Sequence, residues 1–160
     1  MNSERMAFFL AKAEIIELIN RYFAALDEKN FDTGVLAQIF ADDGRIVRPN
    51  GAETRGPQAI GESHRHSFSR FRATQHMASS LIVTLTDDAK AEFRGNVVAM
   101  HLWAAGLGDP NVPPNDNYFL AGGVLSGKAE MTTQGWRLTQ LANDVVWRRG
   151  TGFQQVLQTR

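Results

Sequence analysis

The chain reads as an α+β fold in which a cone-shaped, curved antiparallel sheet packs against three N-terminal helices. Three observations predict it. Up to Arg70 the apolar residues recur mainly at helical spacing; from Thr74 onward the chain falls into segments rich in β-branched, aromatic and small residues; and several of those segments carry glycines in their interiors. A sheet that is apolar on one face needs a cover, which the helices supply, and interior glycines bend it rather than leave it flat.

From Ser3 to Leu26, Phe8, Ile15, Ile16, Leu18, Ile19, Tyr22, Phe23 and Leu26 form one apolar stripe, with Ser3 as cap and Glu4 favouring the N-terminus. Asp27 closes this helix beside the polar break Glu28, Lys29 and Asn30, four residues after Phe23 and so on the same side. Phe31 to Phe40 predicts a second, shorter helix. Phe40-Ala41-Asp42-Asp43-Gly44 ends it in turn chemistry, and Arg45-Ile46-Val47 starts a short strand before the turn Pro49-Asn50-Gly51. Pro57, in the first turn where its missing N–H matters least, opens a third helix to about Arg70. Four long strands follow: Thr74 to Thr86, Ala89 to Ala105, Tyr118 to Thr133 and Trp136 to Trp147. Asp87-Asp88 and Gln134-Gly135 make tight turns, and a loop from Gly106 to Asn117 joins the middle pair. Gly95, Gly122, Gly123 and Gly127 lie inside strands and mark the bends that keep an interior open. No repeat or linker divides the chain, so residues 1–160 are expected to form a single domain.

Composition narrows the function. Lys plus Arg and Asp plus Glu number 17 each, giving a formal charge of zero and no overall field to hold nucleic acid. Arg65, Arg70 and Arg72, beside Phe68 and Phe71, then read as a solvated face. With no cysteine there is no disulfide framework, thiolate nucleophile or Cys-ligated zinc, and a cytoplasmic setting is expected. No segment approaches the roughly 20 apolar residues of a membrane span, and the first residues lack the basic start of a secretion signal.

Ionisable groups in apolar company cost free energy unless paired, which singles out Asp27, His76 and His101. Strand alternation puts Val97, Ala99, His101, Trp103 and Ala105 on one face, and His76 shares parity with the small residues Ala78 and Ser80. If the three converge on one cavity, a carboxylate can orient an imidazole that moves a proton, with no cofactor. The bland reading of each histidine is a core residue satisfied by a backbone carbonyl, and Asp27 could merely cap a turn. The same three could also form a two-His, one-carboxylate metal site, although no metal is expected. His64 and His66 lie two apart on a helix and are expected at the surface. Ser79, Ser80, Ser126 and Asn96 are candidate polar contacts, and the 106–117 loop and the tail from Gly152 to Arg160 are candidate rims of a cavity.

Further residues carry a family resemblance. The run Ile15 to Asp27, Phe40-Ala41-Asp42-Asp43-Gly44, Arg55-Gly56-Pro57-Gln58-Ala59-Ile60, Thr74-Gln75-His76 and Gly135-Trp136-Arg137-Leu138 up to Trp147 resemble the SnoaL-like branch of the NTF2-like, or cystatin-like, cone fold over about Ala13 to Gly150. Within that superfamily scytalone dehydratase uses an aspartate at the end of the first helix and two strand histidines, which Asp27, His76 and His101 match. The dehydrochlorinase relative keeps the aspartate and first histidine as its dyad. Leu26 stands where the dehydratase has a tyrosine, Arg48 or a neighbour replaces a second tyrosine, and Leu125 stands where many relatives have an aromatic residue. The resemblance therefore implies the proton-moving groups without scytalone as substrate.

The expected protein is a cofactor-independent lyase (dehydratase) or isomerase acting on a small cyclic or aromatic oxygenated metabolite. In it His76 acts as base, Asp27 as its partner, and His101 as acid or oxyanion stabiliser. Tyr22, Phe23, Ser80, Trp103 and Leu125 are expected to contact the substrate. The alternative is a non-catalytic ligand-binding or structural protein resembling the β subunits of ring-hydroxylating oxygenases. An outer sheet face bearing Trp, Met and Val residues predicts a homo-oligomer, dimer or trimer.

Overall fold

The computed structural model describes residues 3–157. The elements run α1 (Ser3–Asp27), α2 (Thr33–Ala37), β1 (Phe40–Val47), β2 (Glu53–Arg55), α3 (Pro57–Phe68), β3 (Phe71–Asp87), β4 (Lys90–Trp103), β5 (Tyr118–Thr132), β6 (Gly135–Gly150) and α4 (Gln154–Leu157). The six strands form one curved, unclosed sheet in the order β2-β1-β6-β5-β4-β3, with the helices against its concave side. The expected α+β architecture is present.

Burial explains why these segments adopt these elements. On α1 the stripe Ile15, Leu18, Ile19, Tyr22, Phe23 and Leu26 is buried, chiefly against β3 and β6. It meets Val83, Phe93, Val97, Leu125, Ala129 and Leu138 from the sheet in one apolar core. Each fully buried aliphatic or aromatic side chain contributes about 1.5–3 kcal/mol, so this stripe sets where α1 lies and hence where its last residue points. Pro57 occupies the first turn of α3, preceded by Gly56 at φ 86°, a conformation a side chain disfavours.

Two elements differ from the sequence expectation. The second helix is only Thr33–Ala37, because Phe40 already pairs with Leu138 of β6 and begins a strand. That pairing is parallel, so the sheet is mixed rather than wholly antiparallel; α3 and β3–β5 intervene between β1 and β6 and supply the crossover such a pair needs. The pairing register shifts between Ser79 and Ile82 of β3 and between Gly122 and Gly123 of β5, irregularities of the kind that bend a strand. A Cβ at Gly122 would run into the Trp147 indole, which lies across it on the convex face.

The 106–117 loop is pinned rather than free. Asn117, buried at its base, donates to the carbonyls of Leu107 and Asp109 and accepts from the Asp109 amide and the Thr151 hydroxyl. Of the candidate rim formed by the tail, residues 158–160 lie outside the described residues; within it Phe153 and Val156 pack against the Phe71, Trp103 and Phe119 cluster.

Candidate active site

Asp27 reaches the site because α1 ends there. A carboxylate at a helix C-terminus opposes the helix dipole, and three hydrogen bonds from β3 offset that penalty. The Thr74 hydroxyl donates to Oδ1 at 2.9 Å, the His76 amide donates to Oδ2 at 2.8 Å, and His76 Nδ1 lies 2.6 Å from Oδ1. With Nδ1 committed to a carboxylate, Nε2 is the ring atom left for a ligand. Phe23, one turn earlier on α1, stacks on the His76 ring at 5.3 Å and 17°, so the imidazole is fixed by a bond on its edge and an aromatic on its face.

His101 stands on β4, its ring 5.8 Å from that of His76 and nearly perpendicular to it. Phe119 stacks on it at 4.3 Å and 7°, and Phe71 packs at 5.0 Å. Burial, then the neighbouring His76, lowers its pKa to about 4, so it is a neutral imidazole at neutral pH. Burial also lowers the pKa of His76. Asp27 pulls the other way, by hydrogen bond and by charge, and does not overcome it. The expectation that Asp27 would favour the imidazolium is met in direction but outweighed by desolvation, leaving His76 a neutral base.

Both histidines line a cavity of about 570 Å³. Its apolar wall includes Phe68, Phe71, Val97, Phe119 and Val145, and its polar wall includes Arg48, Ser63, His66, Arg70, Asn143 and Arg148. The structure thus brings Asp27, His76 and His101 together. It adds Thr74, which strand parity with His76 could have revealed, and it puts Arg48, singled out above only as standing where a relative has a tyrosine, in the cavity wall.

The five expected substrate contacts fall elsewhere. Tyr22 is buried in the core and bonds His64 Nε2 through its hydroxyl at 3.1 Å; desolvation raises its pKa. Phe23 lies behind His76. Leu125 is sealed in the main core at 1% exposure. Trp103 shares the face of His101, but its indole N–H donates to the Thr151 carbonyl at 2.9 Å, and Phe71 and Phe119, which do line the cavity, pack on it. Ser80 adopts φ 53° within the β3 irregularity, which breaks the strand parity that placed it beside His76, and it is exposed. None of the five lines the cavity.

Ser79 and Asn96 are likewise exposed, and neither they nor Ser126 line the cavity. His64 corrects a further expectation. It turns inward between Tyr22, Phe31 and Phe68, and burial, then the charges of Arg48 and His76, lowers its pKa to about 4. His66 is exposed as expected but edges the cavity. Val156 joins the wall, whereas the 106–117 loop contributes none of it. Among the described residues no cluster of three or more His, Asp or Glu side chains is arranged to hold a metal ion. None of the described helices is long and apolar enough to cross a membrane.

No curated protein sequence matches the chain. Among solved structures it is similar to the Kfla4162 protein from Kribbella flavida, at 27% identity and TM-score 0.78 over 88% of this chain and 93% of that one. It is also similar to the hexachlorocyclohexane dehydrochlorinase LinA-type3 from Novosphingobium barchaimii LL02, at 17% identity and TM-score 0.76 over 91% and 93%. A candidate scytalone dehydratase from Novosphingobium aromaticivorans matches at 16% identity and TM-score 0.75 over 91% of each chain. At these lower identities the likeness is one of fold. Residues 8–142 match the model of the SnoaL-like domain, and the chain belongs to that family.

Proposed function

We propose that the protein is a cofactor-independent lyase or isomerase acting on a small cyclic or aromatic oxygenated compound. The observation that carries this reading is the 2.6 Å contact between Asp27 and a His76 that lines an open cavity. His76 Nε2 takes a proton from a substrate carbon while Asp27 stabilises the imidazolium that forms. The electron pair of the broken C–H bond either becomes a C=C bond as a group leaves the adjacent carbon, or moves onto a neighbouring carbonyl oxygen as an enolate. The neutral His101 stands 5.8 Å from His76, ring to ring, and offers an N–H to the departing or developing oxygen. In an isomerisation the imidazolium then returns its proton to a different carbon. Dehydratase and dehydrochlorinase structures of the same fold support the lyase class. The open cavity and the Asp27–His76 contact support catalysis over the role of a binding or structural module.

The test is turnover and solvent-deuterium incorporation, read by NMR, over a panel of cyclic hydroxyketones and hydroxylated aromatics. Wild type should exchange or eliminate, and Asp27→Asn and His76→Ala should each lose activity with the fold retained by circular dichroism. Undiminished turnover in either variant would sink the assignment. The same reading extends to assembly. Met77, Val146 and Trp147 are exposed on the convex side, and a homo-oligomer, dimer or trimer, would cover them; light scattering at the mass of one chain would reject this.

A further inference from the structure

The cavity wall is rich in basic side chains. Arg48, Arg70 and Arg148 line it together with three histidines, and among the described residues no aspartate or glutamate does. The nearest carboxylate to the chemistry, Asp27, is already held by Thr74 and by the amide and ring of His76. The chain as a whole carries no net charge, so the basic lining is a local arrangement.

Arg48 is the telling member. Arg45 and Arg55, on the neighbouring stretches of β1 and β2, share Glu53 as counter-ion and stay outside the cavity. Arg48, at the end of β1, instead donates Nη2 to two neutral hydroxyls, Thr54 Oγ1 at 2.9 Å and Ser63 Oγ at 3.2 Å. No carboxylate among the described residues pairs with it. Two hydroxyls fix the direction of the guanidinium without cancelling its charge, and it has five N–H donors, of which these bonds use part. The charge is felt inside the protein: it contributes to the lowered pKa of His64. A half-buried, oriented cation with no carboxylate partner among the described residues, lining the same cavity as Phe68, Phe71 and Phe119, combines an anion hold with an apolar bed.

We propose that the substrate carries a carboxylate that Arg48 holds, with its ring or chain lying on the phenylalanine wall within reach of His76. This rests on the acid/base reading of the cavity and names the substrate class for it. A planar carboxylate matches the guanidinium fork, and a charge-assisted pair of this kind is worth roughly 10- to 100-fold in binding.

The experiment is a calorimetric titration with 2-naphthoate and its neutral amide, 2-naphthamide, at low ionic strength. The acid should bind roughly 10- to 100-fold more tightly than the amide. Arg48→Gln, which keeps a donor for Thr54 and Ser63, should erase that preference while leaving amide binding unchanged, which also shows the cavity intact. Arg48→Lys should retain part of it, and His76→Ala most of it. Equal affinity for acid and amide, binding of neither, a preference that survives Arg48→Gln, or one lost instead in His76→Ala overturns the proposal. Because the measurement needs no turnover, its failure leaves the Asp27→Asn activity test standing, and failure of that test leaves this one standing.

Discussion

Asp27 sits at the end of a helix where the dipole disfavours a carboxylate, and its three donors explain why it is nonetheless placed there. The burial of its partner His76 fixes the sign of a pH dependence. Burial lowers the pKa of His76 below its ordinary value of 6.5, so the base is neutral above that value and the acid limb of kcat/KM should fall below pH 6.5. Asp27→Asn removes an upward pull, moving the limb lower still and cutting turnover about 10²- to 10⁴-fold. A wild-type limb at or above pH 6.5 contradicts this. At this scale the sequence was informative about titratable groups in apolar strands, since His76 and His101 stand out by parity alone. It was silent about Ser80, whose positive φ reverses the parity argument, and about His64, whose inward turn depends on Tyr22, Phe31 and Phe68 arriving from other elements.

Among the elements, the long strands decide the cavity's shape. At Gly127 β5 lies so near its neighbours that a Cβ would meet the Gln140 carbonyl of β6 and the Phe93 ring of β4. Gly127→Ala should therefore destabilise the fold by about 1–3 kcal/mol, read from urea unfolding, since neither a paired backbone nor a buried ring yields cheaply. An unchanged midpoint would show that the curvature has slack. The strands were legible because β-branched runs between turn residues are local signals. The parallel partnership of β1 with β6 was not, because it joins residues about a hundred positions apart, Phe40 to Leu138, through no local pattern. The same non-locality hid the second helix's early end.

For the molecule as a whole, the buried histidines couple stability to acidity. His64 and His101 titrate near 4 when folded and near 6.5 when unfolded, so between these values the unfolded chain binds more protons. Their contribution is complete above pH 6.5 and is lost as the pH falls toward 4, on the order of a few kcal/mol together. Calorimetry should show a melting temperature that declines across that interval, and a flat profile would refute the burial of these rings. The overall α+β plan was readable because one amphipathic helix and a set of β-rich segments have few ways to share a core. The cationic wall was not, since Arg48, Arg70 and Arg148 are scattered along the sequence and become neighbours only when the sheet curls.

The three bonds on Asp27 also constrain how this chain can diverge. The carboxylate that would prime the base is also the rivet between the last turn of α1 and the start of β3, so a lineage discarding the chemistry would loosen its own framework in the same step. Repurposing of this cavity should then proceed by exchanging wall residues such as Arg48, Asn143 or Val145, around an aspartate that the architecture keeps in place after its reaction has been forgotten.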